Sequence, residues 1–185
     1  MEAFICNKNV KLETERLILR SWKETDLNDF NEYASVPGVG EMAGWPAHES
    51  IEVSKGILDS WLSGESFQLA IVYKENGKVI GSIGLHKSWA DDMEEYKNLK
   101  TKEVGYVLSK DYWGKGLMVE AVKEIIRFVF DDFGLDALTV GYFSHNTQSK
   151  RVIEKCGFTF VKEMQKESKQ LNKVFDGYDY IVFRN

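Results

Sequence analysis

Glu103-Val104-Gly105-Tyr106-Val107-Leu108 and the turn that follows it, Gly114-Lys115-Gly116-Leu117, decide the fold of this chain. The first stretch predicts a β-strand, and the apolar residues after the turn recur at helical spacing. The start of a helix presents unpaired backbone N–H groups and the positive end of the helix dipole. Glycine lets the backbone approach an anion closely. This strand–turn–helix unit therefore indicates a phosphate-binding turn.

The residues around the glycines exclude two common phosphate-binding motifs. A Walker A loop needs Ser or Thr after its lysine, but Lys115 is followed by Gly116. A dinucleotide-binding fingerprint needs a third glycine where this chain has Val119, and the turn lies too late in the chain for a first βαβ unit. Two interpretations of the turn remain. It binds the pyrophosphate of coenzyme A, or it is a plain strand-to-helix turn.

Hydrophobic patterns on either side of this unit predict an α/β (mixed α+β) chain in the order β-α-α-β-β-β-α-β-α-β-β. Short strands separated by an Asn76-Gly77 hairpin turn fill the first half, and βαβ units fill the second. We therefore expect a mixed, mostly antiparallel sheet with helices on both faces, in a single domain spanning residues 1–185. The predicted strands are 16–20, 67–73, 78–85, 103–108, 137–142, 158–166 and 174–183, and the predicted helices are 27–35, 49–62, 117–130 and 147–156.

Composition narrows the class of protein. Hydrophobic residues make up 43% of the chain and aromatic residues 13%, which excludes a disordered chain. The net charge of −5 argues against a nucleic-acid partner, and no apolar run approaches the roughly 20 residues of a membrane helix. Met1–Arg20 lacks a signal-peptide pattern, so a cytoplasmic location is expected. Cys6 and Cys156 have no metal-ligand or redox spacing, and no metal is expected. Exposed aromatic residues in the first half would suit a homodimer.

A second segment changes the interpretation of the glycine turn. His145-Asn146-Thr147-Gln148-Ser149 opens a helix that ends near Gly157. Together, the two segments resemble the GNAT superfamily of acyl-CoA N-acyltransferases, and in particular its Rim-type branch, which is named for enzymes that acetylate ribosomal-protein N-termini. The resemblance covers nearly the whole chain in the family's order. The matching blocks are 12–20, 79–85, 103–108, 112–121 and 146–158.

The resemblance implies a binding site for acetyl-CoA as co-substrate. The sheet would splay open between strands 103–108 and 137–142, and the pantetheine arm would lie in the gap. Free backbone groups of Tyr106, Val107 and Leu108 would hydrogen-bond the arm, and Asn146 and Ser149 would reach it near the thioester. The backbone N–H groups that would hold the pyrophosphate are those of Trp113, Gly114, Lys115, Gly116, Leu117 and Met118.

The chain departs from the family pattern in two places. The turn has Trp113 where Arg or Gln is usual and Met118 where Gly or Ala is usual. Many family members also place a Tyr seven residues after the capping Asn, as the acid that protonates the leaving thiolate, whereas this chain has Ile153. In the Rim-type branch a Ser of this helix is the usual candidate, and Ser149 occupies its place. A purely local role for Ser149 in the helix cap is the alternative.

The resemblance also implies an amine as the acceptor. An amine must lose a proton before it attacks, and Glu103, at the start of the strand bordering the gap, is the candidate general base. The alternative for Glu103 is a solvated carboxylate at a strand end. Trp45 and His48 lie in a loop expected to border the acceptor, while His86 and His145 are weaker candidates.

The predicted function is N-acetyl transfer from acetyl-CoA to a primary amine by direct attack in a ternary complex. The acceptor amine would belong to a protein N-terminus or to a small molecule. The alternative is a non-catalytic acyl-CoA-binding sensor or partner-binding module, which the vacant tyrosine position favours.

Overall fold

The computed structural model describes residues 10–184, so Cys6 and the first nine residues of the segment considered for a signal peptide lie outside the described residues. Within these residues, four α-helices and eight β-strands follow one another. Their bounds are β1 Lys11–Glu13, β2 Leu17–Ser21, α1 Leu27–Ala34, α2 Ile51–Leu62, β3 Phe67–Tyr73, β4 Val79–His86, β5 Thr101–Leu108, α3 Leu117–Asp131, β6 Ala137–Phe143, α4 Thr147–Lys155, β7 Thr159–Ser168 and β8 Lys173–Phe183.

The first strand, β1, was not predicted from the sequence pattern. It has three residues, of which only Leu12 is buried, and it pairs antiparallel with β2. Thr14 N donates to Leu17 O across the connecting turn, so the segment taken as a polar lead-in is the turn of a hairpin. The other predicted strands and helices are present, with ends within a few residues of the expected positions.

All eight strands form one sheet in the order β1-β2-β3-β4-β5-β6-β8-β7. Neighbouring strands are antiparallel except β5 and β6, which are parallel and pair only from Thr101–Ala137 to Glu103–Thr139. Beyond Glu103 the two strands diverge and leave an opening in the middle of the sheet. This confirms the mixed, mostly antiparallel and splayed sheet.

Helices cover both faces of the sheet, as predicted. Strand β3 shows the division, because Leu69 and Ile71 pack into one core while Ala70 and Val72 pack into another. The first core contains the buried faces of α3 and α4, and the second contains those of α1 and α2. The alternation of side chains along a strand produces both cores from one sequence run.

The structure bears on two expectations, the exposure of aromatic residues and the presence of membrane-spanning helices. The described aromatic residues of the first half are buried or half-buried, so the exposed aromatics that were to suit a homodimer are not found there. Within residues 10–184, no helix combines the length and the apolar character that crossing a membrane requires.

Candidate active site

The glycine turn after β5 depends on backbone conformation. Gly114 has φ of 75° and Gly116 has φ of 76°, both in the left-handed region that side chains disfavour. A Cβ at Gly114 would meet no atom within 4 Å, so conformation rather than crowding requires the glycine. Gly116 occupies the N-cap position of α3, which places the free N–H groups of the first helical turn at this point.

An ion-paired clasp holds the turn against the start of the sheet. The Arg16 Nη1 atom donates to Lys115 O at 3.0 Å, and Arg16 Nε contacts Glu120 Oε2 at 2.8 Å. Burial opposes ionisation of Glu120, but hydrogen bonds from Thr14 and Arg16 outweigh it and lower the pKa of that carboxyl. The clasp therefore remains charged at neutral pH and fixes the turn from outside its own sequence.

A groove of about 450 Å³ runs from this turn to the opening in the sheet; we call it the cofactor groove. Lys115 is the one predicted cofactor-binding residue that does not line it, and its ammonium lies 5.0 Å from the centre of the Tyr112 ring instead. The predicted residues along the groove are Tyr106, Val107, Leu108, Trp113, Gly114, Gly116, Leu117, Met118, Asn146 and Ser149.

Trp113 has a structural role that its place in the motif did not indicate. Its indole Nε1 donates to Leu108 O at 2.7 Å, which closes the turn back onto β5. The Leu108 carbonyl is therefore engaged within the protein, contrary to the expectation that the backbone groups of this residue are free. The arginine or glutamine usual at this position is replaced here by a side chain that braces the turn.

Two basic residues of the groove were missed by the sequence analysis. Arg151 and Lys155 line the cofactor groove from α4. They are four residues apart and so lie on the same face of the helix. That spacing is visible in the sequence, but the direction in which the face points depends on how α4 packs on the sheet.

Ser149 meets a tyrosine hydroxyl that the sequence did not place there. Ser149 Oγ lies 2.9 Å from Tyr106 Oη, and Ser149 N donates to Asn146 Oδ1 at 3.1 Å. Asn146 Nδ2 donates in turn to Met42 O, so both polar ends of the Asn146 side chain are engaged. Ile153, at the position where many relatives have tyrosine, is 1% exposed and belongs to the core. Burial raises the pKa of Tyr106, which keeps its hydroxyl protonated.

Two further cavities meet the cofactor groove at Tyr106, which lines all three spaces. We call the first the aromatic cavity, of about 600 Å³, which lies beneath α1 and α2. The second is the polar cavity, of about 490 Å³, which lies at the opening between β5 and β6. Ser149 lines the polar cavity as well as the groove. Ala43 is the second residue that lines all three spaces, so Tyr106 and Ala43 mark the point where the groove and the two cavities join.

Glu103 lies in the polar cavity, where Lys166 Nζ is 3.3 Å from its Oε1 atom. A second carboxylate, Asp179, is buried close by on β8 and was not singled out in the sequence. Burial, reinforced by the charge of Glu103, raises the pKa of Asp179 to about 6. The two carboxylates and the ammonium groups of Lys162 and Lys166 form one electrostatic cluster.

His86 occupies a more central place than the sequence indicated. It is the cross-strand partner of Glu103 and lines both the aromatic and the polar cavity. His86 is exposed by surface area, but the protein atoms around its ring disfavour the charged form and lower its pKa; the negative charge of Glu103 opposes that shift without cancelling it. The imidazole is therefore neutral at pH 7 and able to accept a proton.

Trp45 and His48 both line the aromatic cavity, and their ring centroids are 5.0 Å apart.

The remaining candidates, His145 and Cys156, lie elsewhere. His145 stacks on Phe143, and Cys156 is buried with its thiol pKa raised to about 11 by burial, so its thiol is protonated at neutral pH. In the part of the chain that the structure describes, no three His, Cys, Asp or Glu side chains are grouped to hold a metal ion.

Residues 16–159 match the family model for the acetyltransferase (GNAT) domain, and the chain belongs to this family of N-acetyltransferases. An uncharacterized N-acetyltransferase of Bacillus licheniformis, p20, is 25% identical over 94% of this chain and 96% of its own length. The matching region begins at Arg16 of the clasp and includes the glycine turn, Glu103, Tyr106 and Ser149.

Solved structures agree with this fold. A GNAT-family acetyltransferase from Bacillus anthracis superposes with a TM-score of 0.80 at 22% identity, covering 94% of this chain and 98% of its own. The ribosomal-protein-S5-alanine acetyltransferase from Vibrio fischeri gives 0.74 at 22% identity, covering 95% and 97%. The microcin C7 self-immunity acetyltransferase MccE, solved with acetyl-CoA and AMP, gives 0.75 at 19% identity, covering 92% and 94%. The resemblance to the GNAT superfamily, with Rim-type enzymes among the structural neighbours, is confirmed.

Proposed function

We propose that this enzyme transfers the acetyl group of acetyl-CoA to a primary amine by direct attack within a ternary complex. The observation that carries the proposal is the junction at Tyr106. A groove beginning at an anion-binding turn and two cavities on the acceptor side all reach this residue. A ternary complex requires such an arrangement, because the thioester and the amine must be held within contact distance of each other.

The cofactor groove suits coenzyme A in both charge and shape. Its turn offers helix N-terminal N–H groups to the pyrophosphate, and Arg151 and Lys155 add positive charge along α4. The opening between β5 and β6 leaves room for an extended arm beside the Tyr106 backbone. The acetyl group would then lie next to Ser149.

The reaction needs one proton acceptor and one proton donor. The amine nitrogen attacks the thioester carbonyl carbon, a C–N bond forms, and the C–S bond breaks with its electron pair leaving on sulfur. Glu103 accepts the amine proton through water in the polar cavity, which it shares with Ser149. His86 is the second candidate base, because it is neutral and lines both acceptor-side cavities.

The pair formed by Ser149 and Tyr106 supplies the proton donor for the leaving thiolate, a role that the apolar side chain of Ile153 cannot fill. In the proposed step Ser149 Oγ donates to the departing sulfur and accepts a hydrogen bond from the Tyr106 hydroxyl, which lies 2.9 Å away, within reach for donation in either direction. A hydroxyl that accepts a hydrogen bond becomes a stronger donor in turn, so the pair stabilises negative charge on sulfur better than an isolated serine does. Both side chains are positioned by secondary structure rather than by loops, which keeps the geometry fixed.

Calorimetric titration of acetyl-CoA, followed by a thiol-release assay over a panel of amines, tests the proposal. We expect saturable binding and amine-dependent release of free thiol. Absence of binding at millimolar acetyl-CoA would sink the cofactor assignment. Binding without thiol release on any amine would favour the alternative, a non-catalytic acyl-CoA-binding module.

The glycine turn gives a matched pair of variants. Gly116→Ala is expected to weaken acetyl-CoA binding about tenfold, because the left-handed conformation strains an L-residue by about 1–2 kcal/mol and the turn shifts to relieve it. Gly134→Ala, between α3 and β6, places a comparable strain at φ of 62°, outside the residues that line the groove. We expect both variants to lose thermal stability, but only Gly116→Ala to lose affinity in calorimetry. Equal affinity of the two variants would contradict a role of the turn in binding.

A further inference from the structure

The aromatic cavity has walls that differ from those of the polar cavity. Rings from three parts of the chain line it, namely Phe30 on α1, Trp61 on α2, and Trp45 with His48 on the loop between them. Val53 and Ile57 of α2 extend the apolar wall. No Lys or Arg is among its lining residues, and Glu49 is the one carboxylate there. The polar cavity, in contrast, is lined by Lys87, Asp92, Glu103 and Lys166.

The rings of Phe30, Trp45, His48 and Trp61 pack together as one aromatic wall of this cavity. The centroids of Phe30 and Trp61 are 4.9 Å apart, and those of Phe30 and His48 are 5.3 Å apart. Trp22 supports the wall from behind at 5.0 Å from Trp61. Such tilted and edge-to-face arrangements are favourable ring contacts, so the wall is preorganised for another ring.

The loop that carries Trp45 and His48 is fastened at several points. His48 N donates to Ala34 O at 2.9 Å, and Ser168 Oγ of β7 donates to Gly44 O at 2.6 Å. Trp45 also packs against Gly40, where a Cβ would collide with the indole. Because the loop is tied to α1 on one side and to the β7–β8 hairpin on the other, it forms a fixed wall.

His48 is held in one uncharged form. Ser54 Oγ donates to Asn31 Oδ1 at 3.0 Å, so the serine oxygen accepts from His48 Nδ1 at 2.7 Å. Burial lowers the pKa of His48, which keeps the ring neutral, with Nε2 as its hydrogen-bond acceptor. His48 therefore adds one neutral acceptor to the cavity, whose other uncharged polar side chains include Gln68, Ser82 and Gln170.

The geometry points to a small primary amine with a flat aromatic body as the acceptor, an inference that rests on the proposed function. The body would lie between the aromatic wall and the strands of the sheet, and the amino group would reach the junction beside Tyr106 and His86. The volume of about 600 Å³ suits a ligand of this size. A polyamine such as spermidine would bring two further ammonium groups into a cavity whose one carboxylate, Glu49, can pair with only one of them. An extended peptide would bury more amide groups than the few polar side chains of this cavity can pair.

The test compares tryptamine and phenethylamine with spermidine and with a hexapeptide that has a free N-terminus. We expect kcat/KM for the two aromatic amines to exceed that for spermidine and the peptide by about tenfold or more. If acetyl-CoA binds and the peptide or spermidine is acetylated as efficiently as tryptamine, the acceptor class is wrong while the proposed function stands. If acetyl-CoA does not bind, the proposed function fails.

Val53 allows the cavity to be narrowed without disturbing the core. It is 44% exposed at the cavity wall, and Val174 is a comparable valine, 64% exposed on β8 and outside all three spaces. We expect Val53→Trp to raise KM for tryptamine about tenfold with KM for acetyl-CoA unchanged, and Val174→Trp to change neither. Calorimetric titration of tryptamine into the CoA-free protein tests the cavity independently of catalysis. Binding that Val53→Trp weakens supports the inference, and no binding, or equal binding by both variants, overturns it.

Discussion

Replacing Ser149 with alanine is expected to lower kcat about a hundredfold while leaving KM for acetyl-CoA nearly unchanged. Ser149 lines both the cofactor groove and the polar cavity, and in the proposed reaction its hydroxyl donates to the departing thiolate. A donor aimed at developing negative charge typically contributes a factor of about this size. Tyr106→Phe removes only the second hydroxyl of the pair, which lies 2.9 Å from Ser149 Oγ. We expect a smaller loss for it, about tenfold, since Ser149 still donates but is less polarised.

The double variant distinguishes a coupled pair from two independent groups. If Tyr106 acts only through Ser149, adding Tyr106→Phe to Ser149→Ala should cause little further loss of kcat. Tyr73→Phe is the matched control. The Tyr73 hydroxyl donates to Glu75 at 2.6 Å where β3 enters its turn, and Tyr73 lines none of the three spaces. Multiplicative losses of kcat in the double variant would show that the two hydroxyls do not act as a coupled pair. A wild-type kcat in Ser149→Ala would remove Ser149 from the mechanism.

The parts of the fold that depend on neighbouring residues could be predicted from the sequence. Strand Phe67–Tyr73 contains the apolar run 69–72, and Asn76-Gly77 follows it with the left-handed glycine that such a turn needs. Strand β1 could not be predicted, because three residues with one buried side chain carry no periodic signal. It exists through pairing with β2, which is a tertiary interaction.

The candidate site likewise has parts that local sequence predicts and parts that depend on tertiary contacts. The glycine turn and the Asn146 cap are local motifs, and both lie where their sequences indicated. Tyr106 was considered only for its backbone, since its hydroxyl meets Ser149 across 43 residues of sequence. The Arg16–Glu120 clasp spans 104 residues. These contacts depend on how far the sheet opens and how α4 packs over it, and neither is encoded in a short segment.

Replacing Glu103 with glutamine is expected to lower kcat/KM about a hundredfold at neutral pH and by a smaller factor at high pH. An alkyl amine with a pKa near 10.4 is almost fully protonated at pH 7 and needs a base, whereas at high pH it loses its proton unaided. Glu167→Gln on the exposed part of β7 removes the same charge away from the cavities and should leave the profile unchanged.

The pH profile of Glu103→Gln also separates Glu103 from His86. The charge of Glu103 raises the pKa of His86 against the larger, lowering effect of the surrounding protein atoms, so Glu103→Gln should lower that pKa further. If His86 were the base, the acidic limb of kcat/KM would move to lower pH and the rate at neutral pH would be retained. If Glu103 is the base, the rate at neutral pH falls and His86→Gln keeps most of it. A wild-type rate in Glu103→Gln together with a large loss in His86→Gln would transfer the base to the histidine, which lies closer to the aromatic cavity.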